Sequence, residues 1–388
     1  MAAKTAERAA GRIYVAENLP LTGIRVFELG SNIAGPYGTW ILAALGADVI
    51  KVERPEGDDA RNWGPPFWND SSTIFHAINR DKRRSVYDLK NSDQVEALRG
   101  RIAENGDVVL QNMRPGAAVR LGLGADALID RNPRLIYCNL HAFGADGPMK
   151  DKPGYDAIIQ AFGGVMSIMG EDGRAPVRAG ISVIDMGTGM WCAIGVLAAL
   201  FRRTMTDKGG IVDASLFETA LGWMAFYAAD YQATGKLPQR LGSGVRGIVP
   251  YQGYACSDGF LMIGASNDRL FVKFAEALDH PEWPEDERFA TNPQRDAHRT
   301  EMNALIEETL AQETSAHWQD VLNAAGIPNA PAQDIDAVLD HPQTKAMGMV
   351  QETDDPTMKL MGLPLSFDGE RPPLRNLAPH ANDNSYDD

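Results

Sequence analysis

Short apolar segments of strand type alternate with segments of helix type along the first half of the chain. Apolar and β-branched residues dominate the strand-type segments, and the segments between them place apolar residues at helical spacing. We predict strands at 24–29, 48–53, 85–89, 107–111, 135–140 and 211–216, and helices at 36–45, 93–103, 190–201 and 218–233. This alternation predicts an α/β fold in which helices cover a Rossmann-like open parallel sheet.

The pattern changes near Gly235, where a glycine-rich stretch replaces the alternation. A strand at 260–264 and three mostly polar helices within 268–325 follow, and they predict a smaller α+β domain. Strand-like segments at 349–352 and 360–365 are expected to rejoin the first sheet. The predicted organisation is a leader at 1–20, a large domain at 21–234 and 331–378, a small domain at 235–330 and a flexible tail at 379–388.

One carboxylate stands where an apolar extended segment meets an apolar helix. Ile181, Val183 and Ile184 favour an extended chain, and residues 190–201 are apolar almost all round, as in a buried helix. Asp185 between them has two interpretations. It is either an N-cap that accepts backbone N–H groups, or a nucleophile beside a Gly-Thr-Gly segment that lets a substrate approach the backbone. The pattern by itself leaves both open.

Composition and charge narrow the class of protein. A length of 388 residues with 44% hydrophobic content indicates a soluble globular protein of two domains. The net charge of −15 argues against nucleic acid as the main partner, and the longest apolar helix ends at Arg202 and Arg203, so we expect no membrane span. Three widely spaced cysteines favour reduced thiols and a cytoplasmic location, and the seven histidines show no metal-ligand spacing.

A glycine motif resembles a dinucleotide fingerprint without its context. Gly242-Ser-Gly244-Val-Arg-Gly247 matches G-x-G-x-x-G, but that fingerprint needs a strand before it and a helix after it. Here Pro238 precedes the motif and Pro250 follows it, which disfavours a helix. We expect a mobile loop, either inert or closing over a reactive centre with N–H groups that stabilise an oxyanion.

Basic residues flank successive predicted strands of the large domain. Each of them alone is an ordinary surface charge, but ligands of open α/β sheets bind beyond the carboxyl ends of the strands. Several cations at that edge indicate a phosphate-rich ligand such as coenzyme A. These residues are Arg54, Lys90, Arg114 and Arg120 after strands and Lys82, Arg83 and Arg84 before one.

Six further motifs give the chain a family resemblance from about Leu21 to about Leu374. They are Ala34-Gly-Pro36, 45–55 (LGADVIKVERP), 57–61 (GDDAR), 112–116 (NMRPG), 144–148 (GADGP) and 154–156 (GYD). With them the sequence resembles the class III CoA-transferases, the family of formyl-CoA:oxalate and carnitine CoA-transferases, which also contains α-methylacyl-CoA racemase. The glycine motif and residues 248–252 (IVPYQ) resemble the branch that moves CoA between dicarboxylic acids.

The resemblance implies a set of site residues and an assembly. Asp185 matches the family's catalytic aspartate, and Arg246 is a candidate contact for the far carboxylate of a dicarboxylate acceptor. Active-site support is implied for Tyr155, Asp156, Gly242, Gly244 and Gly247, and CoA contacts for Asn32, Ile33, Arg54, Lys90, Asn112, Met113 and Arg120. The family's architecture is a large Rossmann-like domain built from both chain ends, a small domain between them, and an interlocked homodimer.

The chemistry implied for Asp185 is attack on the carbonyl of an acyl-CoA thioester. A mixed anhydride forms, CoA returns to Asp185 as an aspartyl thioester, and an acceptor carboxylate then collects the CoA. CoA is therefore a substrate, and neither a permanently bound cofactor nor a metal is expected.

Two other functions compete with CoA transfer. Racemases of the family carry a histidine and a glutamate as opposing bases, where this chain has Tyr155 and Asn267. Tyrosine is a weak base and asparagine does not titrate, which disfavours racemisation. A non-catalytic acyl-CoA-binding protein is the second alternative, and it would have no use for Asp185.

Overall fold

The structure is a computed structural model and describes residues 19–383. The chain folds into two compact units. The large unit comprises the described residues of Met1–Met166, Arg178–Lys236 and Pro342–Asp388, and the small unit comprises Ser167–Val177 and Leu237–His341. The small unit thus takes in residues 331–341 and 167–177, which the sequence pattern assigned to the large domain.

A six-stranded sheet with every neighbouring pair parallel forms the centre of the large unit. Its strands are β1 (Arg25–Leu29), β2 (Asp48–Glu53), β3 (Lys82–Val86), β4 (Val108–Gln111), β5 (Ile136–His141) and β6 (Gly210–Ser215). Their order across the sheet is β3-β2-β1-β4-β5-β6, the order of a doubly wound Rossmann sheet. The predicted open parallel sheet is therefore confirmed.

Helices cover the two faces of this sheet differently. On one face, apolar residues of α3 and α5 pack on Phe27, Ile50, Val109 and Tyr137. The other face lies against α1 and α7. The helices of the large unit are α1 (Ala34–Ala44), α2 (Thr73–Asn79), α3 (Ser92–Asn105), α4 (Ala117–Arg120), α5 (Ala125–Ile129), α6 (Asp156–Phe162), α7 (Val183–Thr206), α8 (Leu216–Trp223) and α9 (Ala225–Thr234).

The small unit has an antiparallel sheet with its own apolar core. Strands β7 (Tyr251–Ala255), β8 (Phe260–Gly264) and β9 (Asn329–Pro331) pair with β8 in the middle. Tyr254, Phe271 and Phe274 are buried in its core. Its helices are α10 (Asp268–Ala277), α11 (Asn292–Ala297), α12 (Arg299–Leu310), α13 (Ser315–Ala325) and α14 (Ile335–Asp340).

The C-terminal segment does not rejoin the large sheet. After α15 (Pro342–Ala346), strands β10 (Val350–Glu352) and β11 (Lys359–Met361) pair only with each other, as an antiparallel hairpin. The expectation that they extend the sheet was wrong because neither outer strand of the six-stranded sheet takes a further partner within residues 19–383. The remaining short elements are strands Phe67–Trp68 and Ser71–Ser72 and the 3-10 helices Asp59–Asn62, Val165–Ile168 and Trp283–Glu285.

Both ends of the described chain are tied to the large unit. Leu19, assigned to a leader by its sequence position, is buried because it packs at Gly46. Residues 379–383, predicted to be flexible, are held because Arg61 donates to the Pro379 carbonyl at 3.0 Å and Arg84 to the Asp383 carbonyl at 2.8 Å. The rest of the predicted leader and tail, 1–18 and 384–388, lies outside the described residues.

Helix α7 is long and apolar enough, by length and composition alone, to cross a membrane. Half of its most apolar window is buried inside the protein, where the helix packs on α1, β5 and β6. Core helices commonly meet the same criterion, and these contacts are those of a core helix.

Candidate active site

A cleft of about 330 Å³ opens at the carboxyl edge of the large sheet. It lies where β1 and β4 are neighbours although their helices cover opposite faces, which is the usual ligand position in open α/β sheets. The lining residues are Leu29, Gly30, Ser31, Val52, Glu53, Arg54, Gly57, Asp58, Asp59, Leu89, Asn112, Met113, Arg114, Ala117 and Arg120.

Hydrogen bonds of Asn112 join the two loops at this switch point. Its side-chain oxygen accepts from the Ser31 backbone N–H at 2.9 Å, and its amide donates to the Ser31 carbonyl at 2.8 Å. The Met113 N–H donates to the Gln111 side-chain oxygen at 2.8 Å, which fixes the following loop. The side chain of Gln111 at the end of β4 and that of Asn112 directly after it therefore hold this wall of the cleft.

The cleft brings together four of the residues predicted to contact CoA. Arg54, Asn112, Met113 and Arg120 line it, and Arg114 lies with them. Arg54 pairs with Asp59 and donates to the Gly57 carbonyl at 2.9 Å. The others, Asn32, Ile33 and Lys90, do not line the cleft themselves, although Asn32 follows the lining residue Ser31 and Lys90 follows Leu89.

A group of buried charges lies below the cleft, and we call Glu28, Lys51, Asp58 and Lys82 the paired charge cluster. Glu28 accepts from Lys51 and from Lys82, both at 2.8 Å, and Lys51 also pairs with Asp58 at 2.7 Å. Lys51 donates to the Gly30 carbonyl at 3.2 Å, and Asp58 accepts from the Asn32 N–H at 3.2 Å. The cluster therefore holds the loop after β1, which is one wall of the cleft.

The lysines decide the charge states in this cluster. Burial alone would raise the pKa of Glu28, but the charges of Lys51 and Lys82 outweigh it, and the pKa is lowered. Burial would lower the pKa of Lys51, yet Glu28 and Asp58 together raise it. Lys82 shares Glu28 with Lys51, so burial prevails and lowers its pKa to about 8.

The structure corrects the predicted position of the third strand, which contains Lys82 and Arg84. The third strand was expected at 85–89, with residues 82–84 as a basic segment before it. Strand β3 instead spans Lys82–Val86, because Lys82 and Arg84 are buried beside Glu28 and Glu53. A hydrophobic pattern does not identify paired, buried cations as strand residues, so the strand was predicted too far along the chain. Leu89, which was predicted to lie in the strand, lines the cleft.

Asp185 occupies the first turn of α7 and does not cap it. The N-cap residue is Ser182, whose side chain makes no capping hydrogen bond. The helix begins at Val183. The interpretation of Asp185 as an N-cap is therefore wrong, because the helix begins two residues before it and the N–H groups of Ile184 and Asp185 are accepted by another residue.

Asp156 provides the cap from another helix. One of its carboxylate oxygens accepts from the Ile184 N–H at 2.8 Å and from the Asp185 N–H at 3.2 Å. The other accepts from the Gln160 side chain at 2.5 Å, and Gln160 in turn accepts from the Ala179 N–H at 2.8 Å. A buried carboxylate at the start of α6 thus satisfies the N-terminus of α7.

The Asp185 carboxyl is partly buried and faces a second negative charge. Burial raises its pKa, the charge of Asp156 raises it further, and the result is about 7. This carboxyl group therefore titrates near neutral pH. A carboxylate made this basic is a stronger nucleophile than an ordinary surface aspartate.

The glycines after Asp185 serve helix packing. A Cβ on Gly189 would lie 2.6 Å from the Ala34 carbonyl oxygen, and one on Gly187 would lie 2.8 Å from the Trp223 ring. The expectation that these glycines open the backbone to a substrate is wrong, because α1 and α8 occupy the space. Their contact places the first turn of α7 beside the start of α1, with Asp185 about 6 Å nearer the carboxyl edge than Gly189.

Other predicted site residues are not brought to this cleft. Tyr155 is 61% exposed and occupies the N-cap position of α6, where its side chain makes no capping bond. Asn267 caps α10 by accepting from the Leu270 N–H at 3.0 Å, which accounts for its presence without a role in proton transfer.

The glycine motif forms a turn of the small unit, and strand β7 follows it. The rejection of a dinucleotide site is thus confirmed. The Gly242 N–H donates to the Gly170 carbonyl at 2.9 Å and the Gly244 N–H to the Leu241 carbonyl at 2.7 Å. These two N–H groups are used by the turn, and the roles predicted for Gly242 and Gly244 at a reactive centre stay predictions. The roles predicted for Gly247 and Arg246 stay predictions.

The sequence did not indicate the roles of several residues at this site. Glu53, Asp58 and Arg61 hold the loop after β2, with Arg61 donating to both Glu53 oxygens at 2.7 and 2.9 Å. Asp58 and Arg61 lie in the motif at 57–61 and Glu53 in the motif at 45–55, and both motifs marked the family without indicating this role. Within residues 19–383, no group of three or more His, Cys, Asp or Glu side chains is placed to hold a metal ion.

Comparison with known proteins bears out the motif resemblance. The profile described as CoA-transferase family III matches residues 21–385. A succinyl-CoA:glutarate CoA-transferase of Mus musculus is 36% identical over 346 residues, which are 89% of this chain and 79% of that protein. A succinate–glutarate CoA-transferase of Agrobacterium fabrum is 38% identical over 343 residues, covering 85% of this chain and 84% of that protein.

A solved structure extends the likeness to the fold. The crystal structure of a CAIB/BAIF family protein from Brucella suis superposes with a TM-score of 0.84 at 39% identity, covering 94% of this chain and 96% of that one. Because profile, relatives and structure all align over most of the sequence, this chain belongs to CoA-transferase family III and is an enzyme that transfers CoA to a carboxylic acid.

Proposed function

We propose that Asp185 is the nucleophile of this CoA-transferase and that donor and acceptor are both dicarboxylic acids. The observation that supports the nucleophile is a carboxyl in the first turn of α7 whose pKa burial and Asp156 raise to about 7. A neighbouring cation would have lowered the pKa of this carboxyl and with it the basicity of the carboxylate, whereas burial beside another carboxylate raises both.

The proposed reaction conserves charge and atoms. The Asp185 carboxylate attacks the thioester carbonyl, the C–S bond breaks, and a mixed anhydride and CoA thiolate form. The thiolate then attacks the Asp185 carbonyl, which leaves an aspartyl-CoA thioester and releases the donor acid with one Asp185 oxygen. The acceptor carboxylate repeats the two steps in reverse and departs as its CoA thioester.

We propose that the cleft binds CoA, with Arg54, Arg114 and Arg120 available to its phosphates. The loop after β1 leads from the cleft wall into α1, and α1 packs on α7. A thioester at the end of an extended ligand would therefore reach the first turn of α7, which holds Asp185.

The dicarboxylate assignment rests on the relatives. Succinyl-CoA:glutarate and succinate–glutarate CoA-transferases are named for two dicarboxylic acids each, and their likeness covers most of this chain. Arg246 as a contact for the far carboxylate rests on the motif resemblance alone.

Trapping the covalent intermediate tests this function. Hydroxylamine added with succinyl-CoA should convert Asp185 to a hydroxamate, detected by peptide mass spectrometry. Asp185→Asn should lower the rate of transfer by about 10⁴-fold or more, as loss of a covalent nucleophile does. Asp126→Asn is the matched control, because Asp126 also lies in the first turn of a helix but is exposed and does not line the cleft. A hydroxamate elsewhere, or transfer by Asp185→Asn at a rate near wild type, would refute the assignment.

We also propose a homodimer. Several large apolar side chains of α7, α8 and α9 are exposed, and such a surface favours a protein partner. They are Trp191, Ile194, Phe201, Leu221, Trp223 and Phe226. The family resemblance supports a second copy of the chain as that partner and is the sole support for interlocking. Light scattering after gel filtration should give twice the chain mass, and a monomer at micromolar concentration would refute the proposal.

A further inference from the structure

The helix that carries Asp185 lacks a cap of its own. Ser182 is at the N-cap position without a side-chain hydrogen bond. The first N–H groups of a helix need acceptors, and an aspartate or serine at the N-cap usually supplies one. In α7 that acceptor comes from Asp156, which lies 29 residues earlier in sequence than Asp185.

The bonds of Asp156 fix its position beside Asp185. It is 7% exposed, and its two oxygens together accept from Ile184, Asp185 and Gln160. These bonds hold the Asp156 carboxylate next to Asp185, where its charge acts on the Asp185 carboxyl.

Charge at Asp185 changes during the proposed cycle. Burial raises the pKa of free Asp185, and repulsion between its carboxylate and that of Asp156 raises it further. The aspartyl-CoA thioester at the same position is uncharged. Repulsion thus acts on the free enzyme and disappears in the covalent intermediate.

We propose that Asp156 is a positioning residue that both caps α7 and favours the state in which Asp185 carries CoA. This inference rests on the proposed role of Asp185 and adds the residue that sets the balance between free and covalent enzyme. In the exchange, Asp185 loses its negative charge as the released donor acid gains one. Destabilising only the Asp185 carboxylate shifts that exchange towards the aspartyl thioester.

The test is the equilibrium between free and CoA-bearing enzyme at a fixed ratio of succinyl-CoA to succinate, read by intact-protein mass spectrometry. Asp156→Asn keeps an oxygen acceptor for the α7 N–H groups and removes the charge. We expect the ratio of CoA-bearing to free enzyme to fall about tenfold, the change that one pKa unit of repulsion represents. Asp156→Glu keeps the charge and should stay within about twofold of wild type.

The outcomes separate this inference from the proposed function. If wild-type enzyme carries CoA on Asp185 and Asp156→Asn gives an unchanged ratio, this inference is refuted and the function stands. If the wild type carries no CoA on Asp185, the function itself fails. A merely structural role would slow formation and decay of the intermediate alike and leave the ratio unchanged. Should Asp156→Asn fail to fold, Asp156→Glu and Asp156→Gln give the same comparison, since they differ in charge.

Discussion

Two groups of buried carboxylates in the large unit differ in what faces them. In the paired charge cluster, Glu28 contacts Lys51 and Lys82, and its pKa is lowered despite complete burial. At the start of α7, Asp185 faces the carboxylate of Asp156, and its pKa rises to about 7. Burial is common to both groups, so the sign of the neighbouring charge decides the outcome.

In the proposed function, the difference separates binding from chemistry. The paired charge cluster holds the loop after β1 and with it a wall of the cleft, so its charges act as structural supports. The carboxyl of Asp185 has the opposite environment, which suits the nucleophilic role proposed for it. The direction of a carboxyl group's pKa shift thus distinguishes this site better than the burial of the group does.

We expect the largest effect on stability when the charge of Glu28 is removed. Glu28→Gln should lower the free energy of unfolding at pH 7 by about 3–5 kcal/mol, because it removes the carboxylate that pairs with buried Lys82 and one of the two that pair with buried Lys51. Urea unfolding measures this. Glu96→Gln is the control, since Glu96 forms exposed pairs with Arg99 and Arg131 and its loss should barely move the midpoint. Equal effects of the two variants would contradict a structural role for the cluster.

Asp185→Asn tests the environment of Asp185 through the pH dependence of the free energy of unfolding. The folded pKa is about 7 against 3.8 for an ordinary aspartate, so wild type loses stability as the pH rises from about 4 to 7, and the loss is complete above 7. The asparagine variant escapes this loss. It should be more stable than wild type by about 1–3 kcal/mol at pH 8, less than the full shift implies because the group is partly solvated, and no more stable at pH 4. Unfolding by urea at pH 4, 6 and 8 measures this, and a variant that is destabilised at pH 8 would contradict the raised pKa.

A smaller effect is expected at the cleft wall. Asn112→Ala removes the two hydrogen bonds to Ser31, so we expect KM for succinyl-CoA to rise about five- to tenfold with kcat within twofold. Initial-rate kinetics separate the two constants. Asn132→Ala is the control, because it also removes two hydrogen bonds, one to the Gly106 carbonyl and one from the Arg134 N–H, and Asn132 does not line the cleft. A fall in kcat at unchanged KM would assign Asn112 to the chemistry instead.

Much of the fold was predictable because the strands of a parallel sheet are apolar and follow one another with helices between them. The strands near 24–29, 48–53, 107–111 and 135–140 were found within one residue or so of their bounds. Failures came where charge is buried or where a long-range pairing decides. Because Lys82 and Arg84 are charged, the strand that contains them was predicted at the wrong position. The sequence also could not show whether β10 pairs with β11 or with the large sheet.

The candidate site divides in the same way. Cations after successive strands, Arg54 and Arg120 among them, were predictable, since parallel strands end at a common edge. The cap on α7 was not. Asp156 and Ile184 are far apart in sequence, and only folding brings α6 and α7 together.

By itself, the sequence determined the order of strands and helices, the cationic edge of the sheet and, through its motifs, the family. Tertiary structure decided which acidic groups are neutralised and which are left facing each other. The physical reason is that hydrophobic periodicity reports burial one residue at a time, whereas a pKa depends on the charges that folding brings near. For Glu28 those charges are lysines from β2 and β3, and for Asp185 the nearest is the carboxylate of Asp156.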